Sequence, residues 1–305
     1  MTFPSYYQTE RVGTLYVPET LKAVDEGHRA QLQPAAADQR RIALLLIDMQ
    51  VDFIHPEGAL SVPGAVADTA RVVEWIYHHA GVITTIAASL DSHLPIQIFS
   101  PAWWVDAEGQ HPLPYTVISE AEVKAGRWKP LYESEWSRAY VEKLEEQAKK
   151  QLMIWPYHTL IGTPGHNLMP ALYEAIAYHS SARSTQPVLL SKGSEPLTEH
   201  YSILEPEVKL PGKGAQNFNH DFLTLLANHD EIYIAGQAKS HCVLETVSSM
   251  VRYNLPGLVP KMRLLTDAMS SVQHPEINFD AMADEAFERF RQNGLTLTTT
   301  QAALA

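Results

Sequence analysis

Along the chain the apolar positions change period in a regular way. Ile42-Ala43-Leu44-Leu45-Leu46-Ile47 is wholly apolar, the pattern of a strand buried on both faces of a parallel sheet, and Asp48 ends it. After the Pro63-Gly64 turn, residues 65–80 return apolar side chains at helical spacing, with Val66, Ala70, Val73 and Tyr77 on one face. Gly81 closes that helix, and 82–88 reads as a second buried strand. The same alternation resumes downstream. It predicts helices near 168–179, 221–228, 243–253 and 279–292, and strands at 188–191, 231–235, 262–266 and 295–299. Six strands alternating with helices predict an α/β fold: a doubly wound, mostly parallel six-stranded sheet with helices on both faces.

Two stretches break the rhythm. Residues 1–41 read as an N-terminal extension that covers a neighbouring surface, with Thr14-Leu15-Tyr16-Val17 as a short strand and Gln33-Pro34-Ala35-Ala36-Ala37 as a linker. The domain proper then spans 42–305, with an insertion at about 100–151. That insertion opens on Pro, Trp and Tyr and closes on a charged helix, for which Ser134 is the expected N-cap. The pairs Glu145–Lys149 and Glu146–Lys150 lie at i, i+4 in it.

Composition narrows the class. Lys and Arg number 23 against 35 Asp and Glu, a formal net charge of −12 with no basic stripe, which argues against nucleic acid or an anionic membrane as partner. A single cysteine excludes an intramolecular disulfide and fits a reducing compartment. The first forty residues carry no continuous apolar run of the signal-peptide kind, and no run approaches membrane-spanning length, so a cytoplasmic location is expected.

In a doubly wound sheet, ligands bind at the carboxyl ends of the strands. Asp48 ends the first strand, Asp91 and His93 follow the second, Lys192 ends the third, and Cys242 follows the fourth. An Asp there is usually a turn former and a Lys is usually solvated, but together the four make a reactive rim. Cys242 opens a helix after the Gly236 turn, where free backbone N–H groups and the dipole favour a thiolate and can bind an oxyanion. A lone cysteine is more often a buried structural thiol, and the turn by itself leaves both readings open. Asp91 and His93 point the same way in an extended segment, as two metal ligands or as a Ser-flanked turn with a surface histidine.

With these residues in place, the chain resembles the nicotinamidase/isochorismatase-like cysteine hydrolases, and their nicotinamidase branch in particular. The resemblance is carried by Asp48-Met49-Gln50-Val51-Asp52-Phe53, Asp91-Ser92-His93, Trp155-Pro156-Tyr157-His158, Lys192 with Glu195-Pro196 and Tyr201-Ser202, and Gly236 to Cys242. It implies a triad of Asp48, Lys192 and Cys242, and an oxyanion hole from the backbone N–H groups of Ala238 and Cys242 around a cis peptide before that alanine. It implies one divalent transition metal (Zn, Mn or Fe) on Asp91, His93 and His158, which anchors the ring nitrogen of a pyridine amide. Phe53, Trp155 and Tyr201 match positions that line the substrate pocket.

The implied activity is a metal-dependent cysteine amidohydrolase that cleaves a small carboxamide, nicotinamide first, through a thioester; a homo-oligomer is expected. The insertion, rooted beside Asp91/His93 and Trp155/His158, is expected to cover the pocket mouth or to meet a partner subunit there. Two alternatives stay open: an isochorismatase-type hydrolase, and a catalytically silent binding or oligomerisation module. The pattern also departs from the family at Lys239-Ser240-His241 and at Ser92 with Gln97, which leaves the substrate open. His241 is expected to be structural. His78 and His79 on a helix, with His55, His111, His166, His179, His200, His220, His229 and His274, are expected to be mostly solvated.

Overall fold

The structure is a computed structural model that describes residues 3–148, 150–253 and 255–304. Its main elements are α1 (Thr20–Arg29), β1 (Ile42–Ile47), α2 (Ala65–His79), β2 (Thr85–Asp91), α3 (Ser134–Lys143), α4 (Pro170–Ala182) and β3 (Val188–Lys192). After them come α5 (His220–Ala227), β4 (Glu231–Gly236), α6 (Leu244–Arg252), β5 (Met262–Leu265), α7 (Phe279–Gln292) and β6 (Thr296–Thr298). The six strands form one parallel sheet in the order β6-β5-β4-β1-β2-β3.

The apolar run of β1 is buried at every position because the sheet is covered on both sides. Ile42, Leu44 and Leu46 join Val72 and Ile76 of α2 and Leu172 and Ile176 of α4 in one core. Ala43, Leu45 and Ile47 face the other, with Phe222 of α5, Val247 of α6 and Phe287 of α7. This is the period-2 alternation of a strand expressed as two cores. The chain winds outward from β1 to β2 and β3, then restarts on the other flank of β1 with β4. The carboxyl ends of β1 and β4 therefore border the crevice where the winding reverses, the usual ligand position in such sheets.

Several expectations need correcting. The second strand runs Thr85–Asp91 rather than 82–88, because the register pairs Ala43 with Thr85 and leaves Val82 on the surface. The buried face of α2 centres on Ala65, Thr69, Val72 and Ile76, while Val66 and Ala70 are half-buried. Residues 14–17 form no strand. The extension instead supplies α1, packed on α4, and is tied down where Glu174 accepts hydrogen bonds from Tyr16 Oη (2.8 Å) and Glu19 N (2.7 Å).

In the insertion, Ser134 is the first residue of α3, not its cap; Glu133 takes the cap position with no capping side chain. A capping box exists elsewhere, where Ser119 and Glu122 open the short helix Glu120–Lys124. Lys150 turns inward onto Glu207 and Glu245 instead of pairing with Glu146, and Lys149 lies outside the described residues. The segment is packed: Trp104 and Tyr140 are fully buried, and Trp155 N donates to Phe99 O at 3.0 Å, joining its two ends.

Candidate active site

Four strand ends bring their polar residues to one point. Gly236 ends β4 directly beside Ile47 of β1, at φ +136°, where a Cβ would come within 2.1 Å of the Ile47 carbonyl oxygen. Only glycine lets β4 run this close to β1 here, and the Cys242 turn is thereby set against Asp48. The Gln237–Ala238 peptide is cis, and Gln237 N donates to Ile47 O at 2.8 Å. Residues Lys239–Val243 then form a π-helical turn leading into α6, and Cys242 lies in that turn. Among the described residues the Ala238 N–H has no hydrogen-bond partner.

Lys192, the last residue of β3, is the hub. Its Nζ lies 2.9 Å from Asp48 Oδ2 and 2.8 Å from Asp91 Oδ1, and it donates to Cys242 Sγ at 3.5 Å and to His200 O at 2.8 Å. Its side chain is 2 % exposed, and Asp48 is wholly buried. Asp48 adopts φ +47°, unusual for a residue with a Cβ, and Ser89 of β2 holds it by donating Oγ–H to Oδ1 at 2.6 Å while accepting from Asp48 N at 3.0 Å. Gln50 fastens the neighbouring strand end, since its side-chain amide donates to Asp91 O at 2.8 Å and accepts from Asp91 N at 2.7 Å.

The charges of this cluster depend on one another. Burial would lower the Lys192 pKa, but Asp48 and Asp91 hold it well above the usual lysine value. Burial raises Asp48 despite Lys192 beside it, so its carboxyl is easier to protonate than an exposed one. Asp91 is held well below the carboxylate range: burial opposes this, and His93 and Lys192 outweigh it. Cys242 is buried beside both carboxylates. Its burial pushes the thiol pKa well up, Lys192 opposes this, and Asp48 and Asp91 add to it. One oxygen each from Asp48 and Asp91 lie within 4.8 Å of Cys242 Sγ and of each other, so a proton acceptor stands next to the thiol.

Asp91, His93 and His158 also meet, their ligand atoms within 4.8 Å of one another and all three residues buried. His93 Nδ1 lies 3.1 Å from Gly193 O, and His158 Nδ1 lies 2.8 Å from Pro156 O. A carbonyl only accepts, so each Nδ1 carries its hydrogen, and Nε2 is the atom each ring could turn to a metal. His93 Nε2 is buried without a hydrogen bond, although Asp91 Oδ2 is 2.9 Å away, and His158 Nε2 is 3.6 Å from the same oxygen. Against burial, Asp91 raises the His93 pKa, so the group attracts a positive charge, a proton or a shared metal ion, and one carboxylate with two imidazoles suits Zn²⁺, Mn²⁺ or Fe²⁺. Gly193, at φ +83°, leaves the space open: a Cβ there would lie 2.7 Å from Asp91 Oδ1.

The aromatic residues surround this group. Phe53 packs edge-on against His158 with ring centroids 5.5 Å apart, and Trp155 Nε1 donates to Tyr201 Oη at 3.0 Å. His241 packs against Trp155, Tyr201 and Phe279 at 5.3, 5.4 and 4.9 Å, and burial lowers its pKa to about 3. It is a neutral wall residue, consistent with a structural role. His179 and His229 are buried rather than solvated, bonded to Ile83 O and Thr85 Oγ1.

Sequence reasoning missed Ser89 and Glu199. A lone serine inside the apolar strand two residues before Asp91 was the available signal for the first. Glu199, buried behind Lys192 and pushed up to about 7 by burial, had none.

No protein-family model and no curated protein matches the chain. Solved structures do. A nicotinamidase/pyrazinamidase from Acinetobacter baumanii superposes with a TM-score of 0.57 at 18% identity, covering 87% of this chain and 98% of that one. The yeast nicotinamidase bound to the inhibitor nicotinaldehyde gives 0.57 at 19%, covering 85% and 99%. PnC1 from L. infantum in complex with nicotinate gives 0.53 at 17%, covering 89% and 96%. At these identities the likeness is one of fold: the chain shares the fold of these structures.

Proposed function

We propose that the protein is a cysteine amidohydrolase that cleaves a small carboxamide to a carboxylate and ammonia, with nicotinamide the first candidate. The observation that carries this reading is the Lys192 ammonium in reach of Asp48, Asp91 and Cys242 at once. A buried cation between two carboxylates and a thiol has no evident packing purpose and costs desolvation, whereas it suits a nucleophile that must lose a proton. The names of the solved structures that share the fold put carboxamides first among substrates.

The chemistry follows from the residues. Asp48 takes the Cys242 thiol proton as sulfur bonds to the amide carbon, so that no resting thiolate is needed. Lys192 keeps Asp48 oriented and balances the negative charge that moves between carboxylate and sulfur. The tetrahedral oxyanion is assigned to the N–H groups of Ala238 and Cys242. On collapse the C–N bond breaks, Asp48 returns the proton to the leaving nitrogen, and a thioester remains. Water, deprotonated by Asp48, then attacks the thioester and frees the carboxylate and the thiol. Asp91, His93 and His158 are the residues that would hold a divalent metal ion, and such an ion supplies a Lewis-acidic anchor for a ring nitrogen or a water. Phe53 and Trp155 present ring surface to a flat substrate.

The insertion is read as part of this hydrolase domain, screening the pocket from solvent. The test is ammonia release across a panel of aromatic and aliphatic carboxamides, by the wild type and by Cys242→Ala. The reading expects turnover of at least one small amide by the wild type and none by the variant. Comparable release by both would refute it.

A further inference from the structure

Beside the site, between the insertion and the Cys242 turn, lies a cavity of about 520 Å³, within the usual size for a small-molecule pocket. Tyr140 and Lys150 of the insertion line it together with Glu199, Tyr201, His241 and Phe279. Its polar lining is unbalanced. Glu199, Glu207 and Glu245 all face it, and Lys150 is its one lining ammonium among the described residues, already paired with both Glu207 (2.9 Å) and Glu245. His241 adds no charge, since burial and Lys150 hold it neutral.

Glu199 is the residue without an answer. It is 5 % exposed, and Oε1 accepts the His200 N–H at 2.9 Å. Among the described residues Oε2 has neither a hydrogen bond nor an ion pair. Oε2 is not fully buried, so it meets the cavity that Glu199 lines, where a cation can complete it. The apolar part of the lining is aromatic and suits a cation too: Lys150 Nζ already sits 5.3 Å from the centroid of Tyr201.

We infer that this cavity binds an organic monocation, an ammonium or amidinium on an apolar body, with the charge on Glu199 and the body against Tyr140, Tyr201 and Phe279. That chemistry has two sources: the side arm of the substrate itself, or a separate small ligand. Only the first rests on the amidase reading. Glu199 borders the proposed site, since Lys192 donates to the carbonyl of the next residue, His200, so a side arm held there belongs to a molecule whose carboxamide lies at Cys242.

The probes are benzylammonium and its neutral isostere benzyl alcohol, titrated calorimetrically into the full chain carrying Cys242→Ala, so that loss or absence of turnover does not affect the result. Benzylammonium should bind at least about tenfold more tightly than benzyl alcohol, and Glu199→Gln should abolish that preference. Met282→Trp, at the exposed rim of the cavity, should fill it and abolish binding, which keeps the test decisive if Glu199→Gln does not fold. Equal binding of the two probes, a preference that survives Glu199→Gln, or binding that survives Met282→Trp overturns the proposal. Kinetics with the wild type then separate the sources. Competitive inhibition by benzylammonium, with faster hydrolysis of ammonium-bearing amides than of neutral ones, assigns the cavity to the substrate; a noncompetitive effect assigns it to a separate ligand.

Discussion

Removing the Lys192 cation should destabilise the protein in a way that pH can read. Lys192→Met keeps most of the stem and leaves Asp48 and Asp91 facing each other in a buried space, 2.9 and 2.8 Å from where the ammonium stood. Breaking a buried ion pair by deleting one partner costs about 3–5 kcal/mol. A carboxylate so stranded escapes by taking up a proton, at roughly 1.4 kcal/mol per pH unit above its ordinary pKa near 3.9. That limits the penalty per carboxyl to about 5 kcal/mol at pH 7.5 and about 1.5 kcal/mol at pH 5. The loss caused by Lys192→Met should therefore shrink by roughly 3 kcal/mol as pH falls from 7.5 to 5.

The sign agrees with the direction at Asp91. A carboxyl held low in the folded state contributes stability above its unfolded pKa and loses it as pH falls, and that contribution depends in part on Lys192. The assay is urea unfolding of wild type, Lys192→Met, Asp48→Asn and the double variant at both pH values, with a chelator present throughout. Asp48→Asn in the Lys192→Met background should recover part of the loss. A Lys192→Met penalty below about 1 kcal/mol at pH 7.5, or one that does not change with pH, would refute the buried-hub account.

Gly236→Ala should cost roughly 2–4 kcal/mol and lower activity further, because a Cβ 2.1 Å from Ile47 O must push β4 away from β1; unchanged urea midpoint and kcat would show that the close approach is not needed. Elemental analysis should find one transition-metal ion per chain, lost on His93→Ala; full metal content in that variant would remove His93 from the ligand set. Stability should fall between about pH 6.5 and 4, where the unfolded chain protonates His179 and the folded one, with that pKa lowered to about 4 by burial, does not. His179→Gln should flatten that part of the stability curve, and an unaltered curve would show that another group sets it.

Much of this arrangement was legible in the chain because a parallel sheet writes itself as apolar runs, and the polar residue after each run must lie on the ligand edge. That is how Asp48, Asp91, His93, Lys192 and Cys242 could be placed on one rim from sequence, before any geometry. The shift of the second strand by three residues was not legible: apolar 82–88 satisfies a strand as well as 85–91, and only pairing with β1 decides. Thr14–Val17 has strand-forming residues but pairs with no strand, and Tyr16 instead goes to Glu174. Ser134 looked like a cap by composition alone, whereas the chain enters α3 through Glu133 at φ +42°. A helix start and a lysine favour the thiolate of Cys242 locally. Complete burial and two carboxylates from other strands reverse that preference. Glu199 and its cavity depend on contacts between the insertion and the loop after β3, which no local pattern announces.

The central claim is that Cys242 forms a covalent bond to the acyl carbon of a carboxamide. It is tested most directly by mixing the protein with a turned-over amide, quenching in acid during steady state, and measuring the intact mass and the modified peptide. The account predicts an adduct equal in mass to the substrate less ammonia, located on Cys242 and absent in Cys242→Ser. Turnover with no adduct at any quench time, accompanied by ammonia release from Cys242→Ala at the wild-type rate, would contradict it.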